Sequence, residues 1–326
     1  MRRLFAAASV VVFGLAAVAL STTPLQAATL KIAMVLWRGE TPAEQGFKDG
    51  LKKLGYQAEY TVINAEQNRT LLRSKLEKSL LPHLESFDYV YSFGTTASKM
   101  TKILVRDKVP QLFNIVTDPV KAGIVHSMDQ PGGNVSGVSQ VVPLSAQIQA
   151  AMKLFAVKKL GIMFNPREKN AMIQREQLKQ LAQKVGFSVV DLRSPPALEM
   201  LQRNLQSLAD KSIAVDAVYL PFDSFLISNA KLIGAKLREA KVKSIGATKS
   251  FITAGVLVGV VPNYHRLGEA VAGILDRHQK GEKMGAIPVQ QVYRTEAPTL
   301  VLNATTRAAL GLDVPDVLLS EAMIVK

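Results

Sequence analysis

The sequence predicts an α/β chain folded as two doubly wound parallel-sheet lobes. Three observations predict it. Short apolar runs alternate with amphipathic ones from residue 30 onward, the rhythm of strand–helix–strand units. The alternation pauses once, over a stretch rich in Gly, Pro, Ser and Asn from about Asp118 to Pro143, and then resumes. The strands on the two sides of that pause are too many for one ordinary sheet, while 326 residues, 48% of them apolar, suffice for two cores.

Taken in order, Leu30 to Trp37 reads as a buried strand and Pro42 to Leu54 as a helix closed by Gly55. Gln57 to Asn64 is a second strand. Leu71, Leu72, Leu76, Leu80 and Leu84 then mark one helical face. Tyr89 to Phe93 is a third strand, leading through Gly94 into a helix that runs to Leu104, and Gln111 to Val116 is a fourth. Beyond the pause come a helix from Leu144 to Phe155, a strand at Leu160 to Phe164, and a helix burying Leu178, Leu181, Ala182 and Val185. Phe187 to Leu192, Ala217 to Leu220, Ser244 to Ala247 and Val256 to Val261 supply further strands, with helices near 198–209 and 224–240. Leu267, Ala270, Val271, Ile274 and Leu275 give a late helix, and Thr299 to Leu302 a late strand. The pause, the late helix and the late strand together predict three passages between lobes. One lobe is expected to hold residues 28–140 plus 264–291, the other 141–263 plus 292–326, with the three passages forming a hinge.

The first 27 residues read differently. Arg2 and Arg3 precede an acid-free apolar run from Leu4 to Leu20, and the small residues around Leu25-Gln26-Ala27 suit cleavage. This is the plan of a secretory signal peptide, so the mature protein is expected in the periplasm, beginning near Ala28. With no Cys in the chain there is no lipid-bearing cysteine, no disulfide and no thiol nucleophile, so the expected protein is not a lipoprotein.

Lys plus Arg exceed Asp plus Glu by 40 to 26, a net charge of +14. These cations are dispersed and lack aromatic interleaving, so attraction of anions fits them better than nucleic-acid reading, and no nucleic-acid partner is expected. The four histidines are far apart and none has metal-ligand spacing. A G-x-S-x-G elbow, a P-loop and a G-x-G-x-x-G after the first strand are all missing. No catalytic residue, cofactor or metal is therefore expected.

In open parallel sheets, ligands meet the loops at the carboxyl ends of strands. Here those loops offer Trp37 and Arg38, Thr95 and Thr96, Asp118, Asn165, Phe222 with Asp223, and Tyr264. Thr95 and Thr96, with adjacent helix N–H groups, suit a carboxylate. Asp118 or Asp223 suits an ammonium, Arg38 a ligand acid, and Trp37, Phe222 and Tyr264 an apolar wall. Each has a structural alternative: Thr95, Thr96, Asn165 and Asp223 as helix caps, Asp118 as a turn residue before Pro119, and Trp37 as core.

Several longer segments carry a resemblance: Tyr91-Ser92-Phe93-Gly94-Thr95-Thr96-Ala97-Ser98, Val116 to Val125, Gln130 to Ser139, Gly161 to Pro166, Pro221-Phe222-Asp223-Ser224, and Asn303 with Ala309-Leu310-Gly311. In these the chain resembles the substrate-binding proteins of bacterial ABC importers, the group that includes TrpX-like tryptophan-binding proteins. The resemblance implies a type I periplasmic-binding fold that closes on a small solute and delivers it to a permease with a cytoplasmic ATPase. It also implies an amino-acid ligand, hydrophobic or aromatic, with the turn at Thr95 and Thr96 as carboxylate site and Asp118, Asn165 and Asp223 facing the same cleft. The chain departs from the group's pattern at Trp37-Arg38 and at Asn263-Tyr264-His265, both in cleft loops. A monomer is expected. The competing readings are a periplasmic ligand sensor for a membrane receptor and, further off, an α/β hydrolase.

Overall fold

The computed structural model describes residues 29–295 and 297–326; the expected signal peptide lies outside the described residues. Thirteen strands among them form two sheets: β1 Leu30–Leu36, β2 Ala58–Asn64, β3 Tyr89–Phe93, β4 Gln111–Val116, β5 Val135–Ser139, β6 Lys159–Phe164, β7 Ser188–Arg193, β8 Ala217–Leu220, β9 Lys243–Gly246, β10 Val258–Val261, β11 Gln290–Gln291, β12 Thr299–Asn303 and β13 Met323–Val325. The first sheet has the order β11-β5-β4-β3-β1-β2, the second β13-β12-β10-β9-β8-β6-β7. All pairings are parallel except that of β10 with β12. The doubly wound α/β class expected from the sequence is therefore the observed one. The chain passes between the sheets after β5, after β10 and after β11.

The central strands are buried on both faces, as covered parallel sheets require. Ile32, Met34, Leu36, Tyr89, Tyr91 and Leu112 are almost wholly buried in the first lobe, and Leu160, Ile162, Val218, Tyr219 and Ile245 in the second. After β10 the chain returns to the first lobe as the helix Tyr264–Gln279, which packs on the helix Pro42–Lys53. The two backbones meet at glycines. A Cβ on Gly46 would stand 1.9 Å from the carbonyl oxygen of His265, and one on Gly268 1.9 Å from that of Ala43.

Three segments differ from the sequence expectation. The Gly- and Ser-rich pause contains a strand, β5, because Ser136, Gly137 and Ser139 are as deeply buried there as Val135 and Val138. Gly137 lies so close to β4 that a Cβ would stand 2.1 Å from the carbonyl oxygen of Phe113. The helix expected near 224–240 is two, Ser224–Ser228 and Ala230–Glu239, joined at Asn229. The leucine-marked helix gives way after Lys75 to a wider turn at Leu76–Leu80 and a tighter one at Leu81–Ser86, where Pro82 cannot continue the α-helical ladder. Among the described residues no helix is long and apolar enough to cross a membrane.

Candidate functional site

Each sheet has one place where successive connections leave in opposite directions, and a crevice opens there at the strand carboxyl ends. In the first sheet it lies between β1 and β3, in the second between β6 and β8. The loops after these four strands converge on one cavity. Trp37 and Arg38 come from the first, Gly94, Thr95 and Thr96 from the second, Glu168 and Asn170 from the third, and Phe222 and Ser224 from the fourth. Ile115, Gln140 and Tyr264 complete much of the wall. The space left is tight, about 30 Å³.

The first-lobe wall presents hydrogen-bond donors without protein partners. Gly94 takes φ of 84°, a conformation glycine adopts without Cβ strain, and turns the chain from β3 into the helix Thr95–Val105. No side chain caps that helix, leaving the first N–H groups for another acceptor. Thr95 is 6% exposed, yet its Oγ1 has no hydrogen-bond partner. The indole Nε1 of Trp37, beside it in the wall, also lacks one. Buried polar atoms of this kind are uncommon in native folds, and a ligand is one way of satisfying them.

Behind this wall runs a buried polar chain. Glu44 accepts from the Thr41 backbone N–H at 2.7 Å and from the Thr41 hydroxyl at 2.8 Å, closing the N-terminal turn of the helix Pro42–Lys53. Tyr91 donates its hydroxyl to Glu44 at 2.7 Å and accepts from the amide of Asn114 at 3.0 Å. The side-chain Oδ1 of Asn114 in turn accepts from the backbone N–H of Ile115 at 2.9 Å. Ile115 holds φ of 56°, a left-handed conformation costly for a β-branched residue, at the irregularity between Phe113 and Val116 in the pairing of β4 with β5. Burial holds the Glu44 carboxyl above the usual range, its hydrogen bonds offsetting part of the rise.

The second-lobe wall is acidic and buried. Glu168 is 5% exposed and accepts the Ser224 N–H on both carboxylate oxygens, each at 3.1 Å. The amide of Asn170 donates to it at 3.3 Å. Burial raises its pKa, while these donors and the charge of Arg38 act the other way. Asp223 sits behind it, raised chiefly by burial and further by the negative charge of Glu168. One buried carboxylate in the wall, Glu168, with a second behind it, favours a cation beside Glu168. Arg38 is half-buried, with its guanidinium 5.4 Å from the centre of the Phe93 ring and beside the hydroxyl of Tyr264. Tyr264 donates to Gln140 Oε1 at 3.2 Å.

Of the residues singled out in the sequence, Trp37, Arg38, Thr95, Thr96, Phe222 and Tyr264 line this cavity together. Asp118, Asn165 and Asp223 do not. Asp118 accepts from the Lys121 N–H at 2.9 Å in a turn, the alternative the sequence allowed. Asp223 is fully buried, receives the N–H of Asn165 at 2.6 Å and that of Leu226 at 3.1 Å, and so caps the helix Ser224–Ser228. The Asn165 side chain accepts from the Arg167 N–H at 2.9 Å. Glu168, Asn170 and Gln140 were not anticipated. The available signal for Glu168 was its place in the loop after β6, matching that of Arg38 after β1. Among the described residues no group of three or more His, Cys, Asp or Glu side chains could hold a metal ion.

Comparison with known proteins gives the family and the fold. The family described as ABC transporter substrate binding protein matches residues 32–326. A tyrosine-binding protein of Clostridioides difficile (strain R20291) is 28% identical over 271 residues, spanning 82% of this chain and 74% of its own. A conserved domain protein from Vibrio cholerae superposes with a TM-score of 0.82 at 26% identity, covering 92% of this chain and all of that one. A domain from Streptococcus pneumonia, solved in complex with L-Trp, superposes with a TM-score of 0.80 at 24% identity, covering 90% of this chain and all of the other.

Proposed function

This chain belongs to the family of ABC transporter substrate-binding proteins, and we propose that it captures an amino acid with an aromatic or hydrophobic side chain and presents it for import. It is a binding protein and not an enzyme, as its family is. The two bodies that close are residues 28–140 with 264–291 and residues 141–263 with 292–326. The setting is the periplasm, after removal of residues 1–27, with a monomer handing its solute to an inner-membrane permease and its cytoplasmic ATPase.

One observation carries the ligand class: an uncapped helix N-terminus with unpartnered Thr95 faces a buried carboxylate, Glu168, across one cavity. A zwitterion answers both walls. Its carboxylate takes the N–H groups and hydroxyls at Thr95 and Thr96, and its ammonium takes Glu168. Trp37, Phe222 and Tyr264 flank the side chain, where each buried CH₂ contributes roughly 0.8 kcal/mol. The tyrosine-binding relative supports an aromatic side chain. Asp223 acts through its cap and through its charge on Glu168, and Asp118 is left outside. Ligand contacts with both walls exist together only when the lobes meet, so binding favours the closed population.

Calorimetric titration with tyrosine, tryptophan, phenylalanine and leucine tests the reading. At least one should bind, and Glu168→Gln should weaken it by tenfold or more, on the order of 2–5 kcal/mol, because the ammonium is left buried and unpaired. N-acetylation of the ligand should do the same. Full affinity in Glu168→Gln, or binding of none of the four, would overturn it.

A further inference from the structure

The mouth of the cleft is basic on both sides. Arg69 and Lys121 from the first lobe and Arg167 and Lys169 from the second line one cavity of about 740 Å³. Arg69 and Lys169 also line a neighbouring cavity of about 380 Å³ with Lys99, and there Thr95 and Thr96 belong to the wall as well. The two cavities thus form one vestibule leading to the proposed carboxylate receptor.

The charges in it are largely uncompensated. Among the described residues Lys99, Arg167 and Lys169 have no carboxylate within ion-pairing distance, and Lys121 reaches only Asp118, at 4.0 Å. The one acid in the wall, Glu176, lies 3.9 Å from Arg175. Arg69 donates from Nη2 to the backbone carbonyl of Arg167 at 2.6 Å, which holds cations of the two lobes on one cavity wall. Like charges gathered from both lobes repel one another as the lobes approach.

We propose that this vestibule is a second ligand site, for a small multivalent oxyanion of the phosphate or sulfate type, held by cations of both lobes. A phosphate or sulfate carries more charge than a chloride and spreads its acceptor oxygens over a tetrahedron, so it can take charge-assisted hydrogen bonds from two sides and bridge Lys121 and Lys169 across the gap. Because its partners converge only on closure, it favours the same closed form as the solute in the cleft, and by linkage each ligand raises the affinity for the other. That linkage rests on the closing-lobe reading above; the binding of the anion does not.

The test therefore measures anion binding first and without amino acid. Inorganic phosphate is titrated calorimetrically into the purified protein against a chloride background of matched ionic strength. Saturable binding is expected, weakened at least fivefold by Lys121→Ala and at least fivefold by Lys169→Ala. Both lysines are exposed, so the variants should fold, and unfolding curves check that they do. Absence of saturable binding, or sensitivity to only one of the two variants, overturns the bridging site. In a second arm, amino-acid affinity should be two- to tenfold higher in phosphate than in chloride of equal ionic strength. Equal affinity overturns the linkage, and failure of every amino acid to bind leaves the first arm standing.

Discussion

Tyr91 donates its phenolic hydroxyl to Glu44 across 2.7 Å in the dry interior of the first lobe, tying β3 to the helix that begins after Trp37 and Arg38. The same oxygen accepts from Asn114, whose side chain fixes the left-handed Ile115 in the cavity wall. One hydroxyl thus couples the first cleft loop to the strained end of β4. Tyr91→Phe removes it and leaves the Asn114 N–H₂ group and one Glu44 oxygen without that partner. We expect a loss of about 1–3 kcal/mol in urea unfolding, together with weaker amino-acid binding. Unchanged stability would show that the chain of hydrogen bonds is dispensable.

Thr95 calls for the opposite balance. Its Oγ1 is buried without a protein hydrogen-bond partner, so Thr95→Val removes an unsatisfied group of nearly the same shape. Thermal stability should hold or rise slightly, while amino-acid affinity falls about tenfold, roughly 1.4 kcal/mol, through the lost hydrogen bond to the carboxylate. A parallel fall in both would mark Thr95 as structural.

The return of the chain to the first lobe depends on Gly268. With its would-be Cβ 1.9 Å from the Ala43 carbonyl oxygen, Gly268→Ala must push two helices apart, at about 1–3 kcal/mol or more. Gly273, on the same helix, has nothing within 4 Å of its would-be Cβ. Gly273→Ala should therefore stabilise by about 0.5–1 kcal/mol, the ordinary helix preference of alanine. Chemical unfolding of the two variants should move in opposite directions; equal shifts would contradict the close crossing.

How much of this could be seen in the sequence follows from where side chains are forced to be apolar. β3, β4 and β8 stand out because every position is buried, and their limits coincide with the apolar runs. β5 is equally buried but built of small residues, since Gly137 must let β4 pass close by, and so it resembles a loop. The loops after β1, β3 and β8 were legible as cleft loops because each follows a clear strand. Glu168 was not, because a lone Glu ahead of a polar helix reads as a solvated first-turn acid. Only the sheet order, with β6 and β8 adjacent, turns it inward. Asp223 misled for the converse reason: an acid directly after a buried strand suits a ligand and a cap equally well, and the N–H groups of Asn165 and Leu226 claim it.

The buried acids make proton release the last expected signature. Glu44, Glu168 and Asp223 all have folded pKa values above their unfolded ones, Asp223 reaching about 7. For such groups the native state binds more protons than the unfolded state between the two values, so stability falls as pH rises from roughly 4 toward 7. Asp49, Asp191, Asp216 and Glu269 are shifted downward by hydrogen bonds and neighbouring cations, and their contribution is lost only as pH falls below the ordinary carboxylate range. Unliganded protein should accordingly be most stable near pH 4–5 as far as these groups decide it. An ammonium set against Glu168 reverses the first trend, because it favours the ionised carboxyl. Amino-acid binding should then release protons over the range in which the raised Glu168 carboxyl titrates, and affinity should increase as pH rises through that range. Titration across that range in two buffers of different ionisation enthalpy reads the release directly, and Glu168→Gln should reduce it. Proton uptake on binding, or a release unchanged in Glu168→Gln, would mean that the ammonium does not meet this carboxylate.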